Sequence, residues 1–274
     1  MADLFTECFD PEETASAVYQ ADGGWTVALY SARPFDRDAL HEMVVGATGQ
    51  AAARALTFET IAEKDWVATS LAGLKPVTAG RFIVCGRHDR ARVAASRIGI
   101  EIEAALAFGT GHHGTTRGCL LALDRLLKAR RPRRILDVGT GSGVLAIAAA
   151  KACRRPALAS DIDRHAVAAA RENARANHVA AFVDVIRADG VRGRRFRSRA
   201  PYDLVFANIL LGPLKRLAGP LARLVAPHGR IILSGLLPPH ASAALAAYRM
   251  QGFALERPIL IEGWATLVLA RRRR

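Results

Sequence analysis

The stretch ILDVGTGSG, residues 135 to 143, decides how this chain is read. An apolar strand carries one aspartate, Asp137, and then Gly139, Gly141 and Gly143 alternate into an Ala-rich run. Glycines at a strand-to-helix turn let the backbone bend sharply and approach a ligand with no Cβ in the way. A dinucleotide fold prefers GxGxxG with a pyrophosphate on the helix N-terminus, whereas the spacing here is GxGxG.

Outward from this loop, short apolar runs alternate with Ala-rich stretches, the pattern of a parallel sheet with crossover helices. Strands are predicted at 134–138, 157–161, 182–186, 203–207 and 230–235, and helices at 143–153, 164–177, 213–225 and 239–251. FALERPILI (253–261) and WATLVLA (264–270) predict a terminal antiparallel pair. Right-handed crossovers put the functional crevice at the carboxyl ends of the parallel strands. Upstream, WTVALYS (25–31), ALTFETI (55–61) and RFIVCG (81–86) read as strands, with a helix over 36–47. The expected organisation is a small α+β domain over 1–86, a connector over 87–105 and an α/β domain over 106–274.

A chain of 274 residues can bury a full hydrophobic core without staples. Cys8, Cys85, Cys119 and Cys153 are far apart and form no CxxC pair, so neither a zinc site nor a disulfide framework is indicated. The N-terminus has no apolar signal core and no run is long enough to span a membrane, which predicts a cytoplasmic protein. The net charge of +14 is unevenly spread: residues 1–90 carry a net −5 and residues 91–274 a net +19. RRPRR (130–134), RGRRFRSR (192–199) and the terminal RRRR (271–274) have few interleaved aromatics, so solvated loops are expected, with weak rRNA contact as the alternative.

One further position carries chemistry by its place in this pattern. Asp161 ends the second predicted strand, 22 residues after Gly139, where a carboxylate can accept from both hydroxyls of a ribose. Asp163, two positions on, is better read as the N-cap of the next helix. The strip AFGTGHHGTT (107–116) poses a separate question. Adjacent His112 and His113 suit one metal ion poorly, and the GK[ST] ending of a phosphate cradle is missing. A glycine-hinged strip leading to the ligand is the expectation, made more flexible by Gly114.

Taken in order, AFGTGHHGTT, ILDVGTGSG, SDID, ANILLGPL, GRIILSG and EGWATLVL resemble the PrmA family, the methyltransferases of large-subunit ribosomal protein eleven. The resemblance spans roughly residues 95–270. It implies a class I methyltransferase Rossmann-like sheet, mostly parallel with an antiparallel C-terminal strand, behind a small ferredoxin-like α+β domain. The family's first strand is expected to be missing, because only 24 residues precede Trp25. The resemblance also implies methyl transfer from S-adenosylmethionine to lysine side chains and the α-amine of that ribosomal protein. By matching motif positions, the cofactor contacts would be Thr116, Gly139, Asp161 and Asn208, with Gly141 in the same loop, Phe108 packed beside the ligand and Asp189 near the adenine amine. Asn208, in FANILLGPL after the fourth strand, would face the nucleophilic nitrogen. No metal is implied, and a monomer is expected. Two other readings stay open: a class I methyltransferase acting on another protein, RNA or small-molecule amine, and a non-catalytic RNA-binding assembly protein.

Overall fold

The computed structural model describes residues 14–21, 24–31, 34–59, 76–102 and 113–272. The chain divides into two compact units, Met1–Ala62 and Glu63–Arg274, whereas the sequence put the divide at 86.

In the first unit, β1 (Thr14–Ala21) and β2 (Gly24–Ser31) pair antiparallel from Thr14↔Ser31 to Ala21↔Gly24. The strand β1 had not been predicted; it joins β2 directly, with no helix between them, and residues 1–13, where an earlier strand and helix would fall, lie outside the described residues. The sequence of β1, TASAVYQA, is built mostly of small residues with Val18 and Tyr19 as the only large apolar or aromatic ones, so it offers no strong apolar alternation. The helix α1 (Arg37–Thr48) starts where Asp36 accepts from the amides of Asp38 and Ala39. A short α2 (Gln50–Arg54) follows, and Val44 and Ala53 form a small core with Val27, Leu29 and Met43. ALTFETI, expected as a strand, is irregular over its described residues 55–59, and the rest lies outside them. Residues 55–59 pair with no strand among the described residues.

The second unit opens with β3 (Val77–Ala79) and β4 (Phe82–Cys85), an antiparallel pair, and β5 (Ile98–Glu101), parallel to β4. A 3-10 turn over Arg87–Arg92 joins the last two. The main sheet has β6 (Ile135–Val138), β7 (Ala157–Asp161), β8 (Val183–Arg187), β9 (Tyr202–Asn208), β10 (Val225–Leu236), β11 (Phe253–Ile261) and β12 (Trp264–Arg271). Their order is β11-β12-β10-β9-β6-β7-β8, parallel except for the pairs β10–β12 and β11–β12. All five predicted parallel strands and the terminal pair form. Between them lie α3 (His113–Ala129), α4 (Val144–Cys153), α5 (Arg164–Ala176), α6 (Arg194–Arg199), α7 (Leu211–Ala222) and α8 (Pro238–Arg249).

Burial on both faces explains why β6 is buried along its whole length instead of alternating with polar residues. Ile135 joins the layer containing Leu120 of α3 and Ile147 of α4, while Leu136 and Val138 join the layer containing Leu214 of α7 and Tyr248 of α8. The first layer also takes in Phe82 of β4 and Ile100 of β5, with Ile98 and Ile102 packed against it, so this stretch of the expected connector lies on the α/β core. Buried Asn177 reinforces that packing: its Oδ1 accepts from the Glu101 amide at 2.9 Å, and its Nδ2 donates to the carbonyls of Glu101 and Asn173. Asn173 in turn donates through Nδ2 to the Ser142 carbonyl, inside the glycine loop. Strand β5 and that loop thus share one buried polar network, which fixes both to the same rigid body.

Candidate active site

The chain runs from β6 outward through β7 and β8 on one side, and through β9 and β10 on the other, so the strand order reverses between β6 and β9. Ligands of open α/β sheets bind at the carboxyl ends of the strands at this switch point. Val138 pairs with Ala207 across it, which makes Gly139 and Asn208 next neighbours.

Left-handed backbone at Gly139 (φ +67°), Gly141 (φ +54°) and Gly143 (φ +84°) shapes the loop. Its entry is tied down by the amides of Gly139 and Thr140, which both donate to the Ser160 carbonyl of β7. Glycine at 139 has a second cause, since a Cβ there would lie 2.2 Å from Cγ2 of Ile209. Gly235, at φ +77°, presses on the same residue: a Cβ would lie 2.6 Å from the Ile209 carbonyl oxygen. Two close approaches, one from each side, thereby set the path of the chain just after Asn208.

Asp161 stands at the end of β7, half-buried. Its Oδ2 accepts from the Gly141 amide at 2.8 Å and its Oδ1 from the Asp163 amide at 3.1 Å. Two backbone donors orient the carboxylate and leave each oxygen a lone-pair direction for a ligand. Asp163 caps α5 by accepting from the His165 amide at 2.8 Å, as expected. Beside Asp161 is a residue the motifs did not single out: Ile162 is 61% exposed, an apolar surface next to an oriented carboxylate. Its only sequence signal is an isolated large apolar residue inside the polar turn SDIDR.

Asp137 sits fully buried on β6, where Oδ2 accepts from the Thr140 hydroxyl at 2.6 Å and from the Ala146 amide at 3.1 Å. Its Oδ1 is buried with no partner among the described residues. Burial pushes its carboxyl up to about 6, against the lowering pull of the Thr140 and Ala146 hydrogen bonds. A carboxyl whose folded pKa lies above the unfolded 3.8 binds its proton more tightly in the fold. Its stabilising contribution is full below about pH 4 and is lost, by of order 3 kcal/mol, as pH rises through about 6. Asp137→Asn is therefore expected to flatten the fall in urea midpoint of the ligand-free protein between about pH 4 and 7. An unchanged slope would assign that pH dependence to other groups.

The remaining expected residues fall as follows. Thr116 is half-buried in the first turn of α3, and Phe108 lies outside the described residues. Gly114, expected to loosen the strip, stands in that same helical turn. A Cβ there would lie 2.9 Å from the Ile261 carbonyl oxygen and 2.8 Å from the Trp264 ring, so glycine permits close packing on the terminal hairpin. Asp189 is exposed beyond β8, on the rim of a cavity of about 500 Å3 that Arg171, Arg187, Arg194 and Arg195 also line. The residues lining this cavity do not include the glycine loop or Asp161. Asn208 is half-buried at the end of β9 and donates through Nδ2 to the Thr115 hydroxyl at 3.4 Å. The motifs had weighted Thr116 over Thr115; only the fold brings Thr115, 93 positions away, to Asn208.

Together, an oriented carboxylate, an exposed apolar side chain and a Cβ-free loop suit a ligand with a vicinal diol and a flat ring. The residues present fit a nucleoside cofactor.

The family described as "Ribosomal protein L11 methyltransferase (PrmA)" matches residues 6–272. A protein of Rhodopseudomonas palustris (strain BisB5) named ribosomal protein L11 methyltransferase is 54% identical over 272 residues, covering 99% of this chain and 92% of that protein. One of the same name from Bradyrhizobium diazoefficiens is 53% identical over 270 residues, covering 98% and 92%. Among solved structures, a ribosomal protein L11 methylase from Lactobacillus delbrueckii subsp. bulgaricus superposes with a TM-score of 0.66 at 26% identity, over 73% of this chain and 100% of that one.

Proposed function

The chain belongs to the ribosomal protein L11 methyltransferase (PrmA) family, and from that premise we propose that it methylates amino groups of L11, on lysine side chains and at the α-amine. S-adenosylmethionine is the methyl donor of this reaction. One observation carries the reading: the switch point sets Asn208 beside the glycine loop, with Asp161 on the neighbouring strand.

When bound, the donor supplies a methyl group already activated by its sulfonium, so the protein's task is alignment and a neutral nucleophile. Asp161 would hold the ribose and Ile162 the base. Gly139 and Gly141 would let the amino-acid portion approach, with Thr116 and Phe108 beside it and Asp189 toward the adenine. Asn208 can accept an N–H of the incoming amine through Oδ1 without presenting a charge, which favours the neutral amine over its ammonium form. Withdrawal from water lowers a lysine's pKa in the same direction.

The acidic N-terminal unit would recognise the substrate, since its charge complements a basic ribosomal protein. Weak rRNA contact through the basic loops, where Arg192, Arg194 and Arg197 are exposed, a monomeric state and action in the cytoplasm complete the proposal. No helix among the described residues is long and apolar enough to cross a membrane. Mass spectrometry of L11 after incubation with enzyme and S-adenosylmethionine should show added methyl groups on amines. Label transferred to rRNA, with L11 unmodified, would overturn the assignment.

A further inference from the structure

We propose that Thr115 is a positioning residue for methyl transfer, whose hydroxyl holds the Asn208 amide so that Oδ1 faces the reacting nitrogen. This rests on the role given to Asn208 above. A side-chain amide has two chemically opposite ends, and turning it over would present donors where the amine needs an acceptor. Here Nδ2 donates to Thr115 Oγ1, and a hydroxyl whose own proton is turned away from the amide can only accept, which keeps this orientation. Oδ1 is then left with no partner among the described residues, at the carboxyl end of β9. At 3.4 Å the bond is long, as catalytic hydrogen bonds often are before substrate arrives.

Thr115 is itself held independently of any ligand. It is 2% exposed, and its carbonyl accepts from the Ser234 hydroxyl of β10 at 3.3 Å. Ser234 shares a 2.8 Å hydrogen bond with the Thr266 hydroxyl of β12. Glycines on both sides of Thr115 bring its helix close enough for this. A Cβ on Gly118 would lie 2.3 Å from Thr266 Oγ1, and Gly114 meets Ile261 and Trp264 as described. Thr115 and Thr116 are about 100° apart around α3. The buried Thr115 serves Asn208 and the half-buried Thr116 is left for the cofactor, a division of labour within one dipeptide.

Thr115→Val keeps the shape and removes the acceptor, while Thr115→Ser keeps the hydroxyl. With full-length enzyme, L11 and S-adenosylmethionine, Thr115→Val is expected to lower kcat about tenfold or more and to leave KM for the cofactor within about threefold, and Thr115→Ser to regain most of the turnover. Because Thr115 acts through the amide, Thr115→Val/Asn208→Ala should be no slower than Asn208→Ala alone. Wild-type kcat in Thr115→Val, even with a lowered melting temperature, overturns the proposal. So does a double variant slowed by the full product of the two single losses. Normal turnover in Asn208→Ala instead overturns the reading of Asn208, and the role of Thr115 falls with it.

Discussion

Asn208→Ala is expected to slow methyl transfer by about a hundredfold, while the affinity for S-adenosylmethionine changes by less than about tenfold. The asymmetry follows from where the side chain stands. Asp161 and the glycine loop are anchored to β7 and to each other, through the Gly141 amide and the Ser160 carbonyl, and neither depends on Asn208. Alanine at 208 removes an acceptor at the reacting nitrogen and leaves those anchors intact. Stability should change little, because Asn208 is half-buried and its side-chain bond to Thr115 is long. Single-turnover kinetics separate the two effects, since they report the methyl-transfer step apart from binding. Near-normal single-turnover rates would remove Asn208 from the mechanism. A loss confined to cofactor affinity would reassign it to binding.

Asp161→Ala should act in the opposite sense, weakening S-adenosylmethionine binding by about a hundredfold to a thousandfold. Two hydrogen bonds from ribose hydroxyls to a charged acceptor are lost, each contributing about 1.5–3 kcal/mol before compensation by water. The loop is affected as well, because the Gly141 amide loses its acceptor at 2.8 Å and the left-handed residue there is freed. Asp161→Asn keeps an acceptor oxygen and should fall between alanine and wild type. Asp163→Ala is the control: it removes only the cap of α5, at about 1 kcal/mol of stability, and should leave affinity nearly unchanged. Calorimetric titration of the three variants orders them, and an Asp161→Ala protein that binds like wild type would remove the ribose role.

The order of parallel strands and crossover helices, the antiparallel terminal hairpin, the glycine loop and the carboxylate after β7 were all legible in the chain. Each is a local signal: a period of alternation, a residue type that a backbone turn demands, or a fixed spacing from strand end to strand end. Signals weakened where local chemistry was bland, as in β1, whose mostly small residues hide a strand that pairs over eight positions. They misled at residues 55–59, which are irregular although their residue types favour a strand.

Contacts between distant segments were decided only by the tertiary structure. The described part of the expected connector joined the core because Ile98, Ile100 and Ile102 found an apolar layer and Asn177 found both backbone groups of Glu101. Gly139 was legible as a turn glycine, but that it and Gly235 both press on Ile209 depends on the register between β9 and its two neighbours. Thr115 and Asn208 meet for the same reason. Residue types and spacings specify which groups are available and which turns are possible. Which distant groups touch is set by strand register and by how closely a helix can approach a sheet, and these depend on the packing of the whole unit.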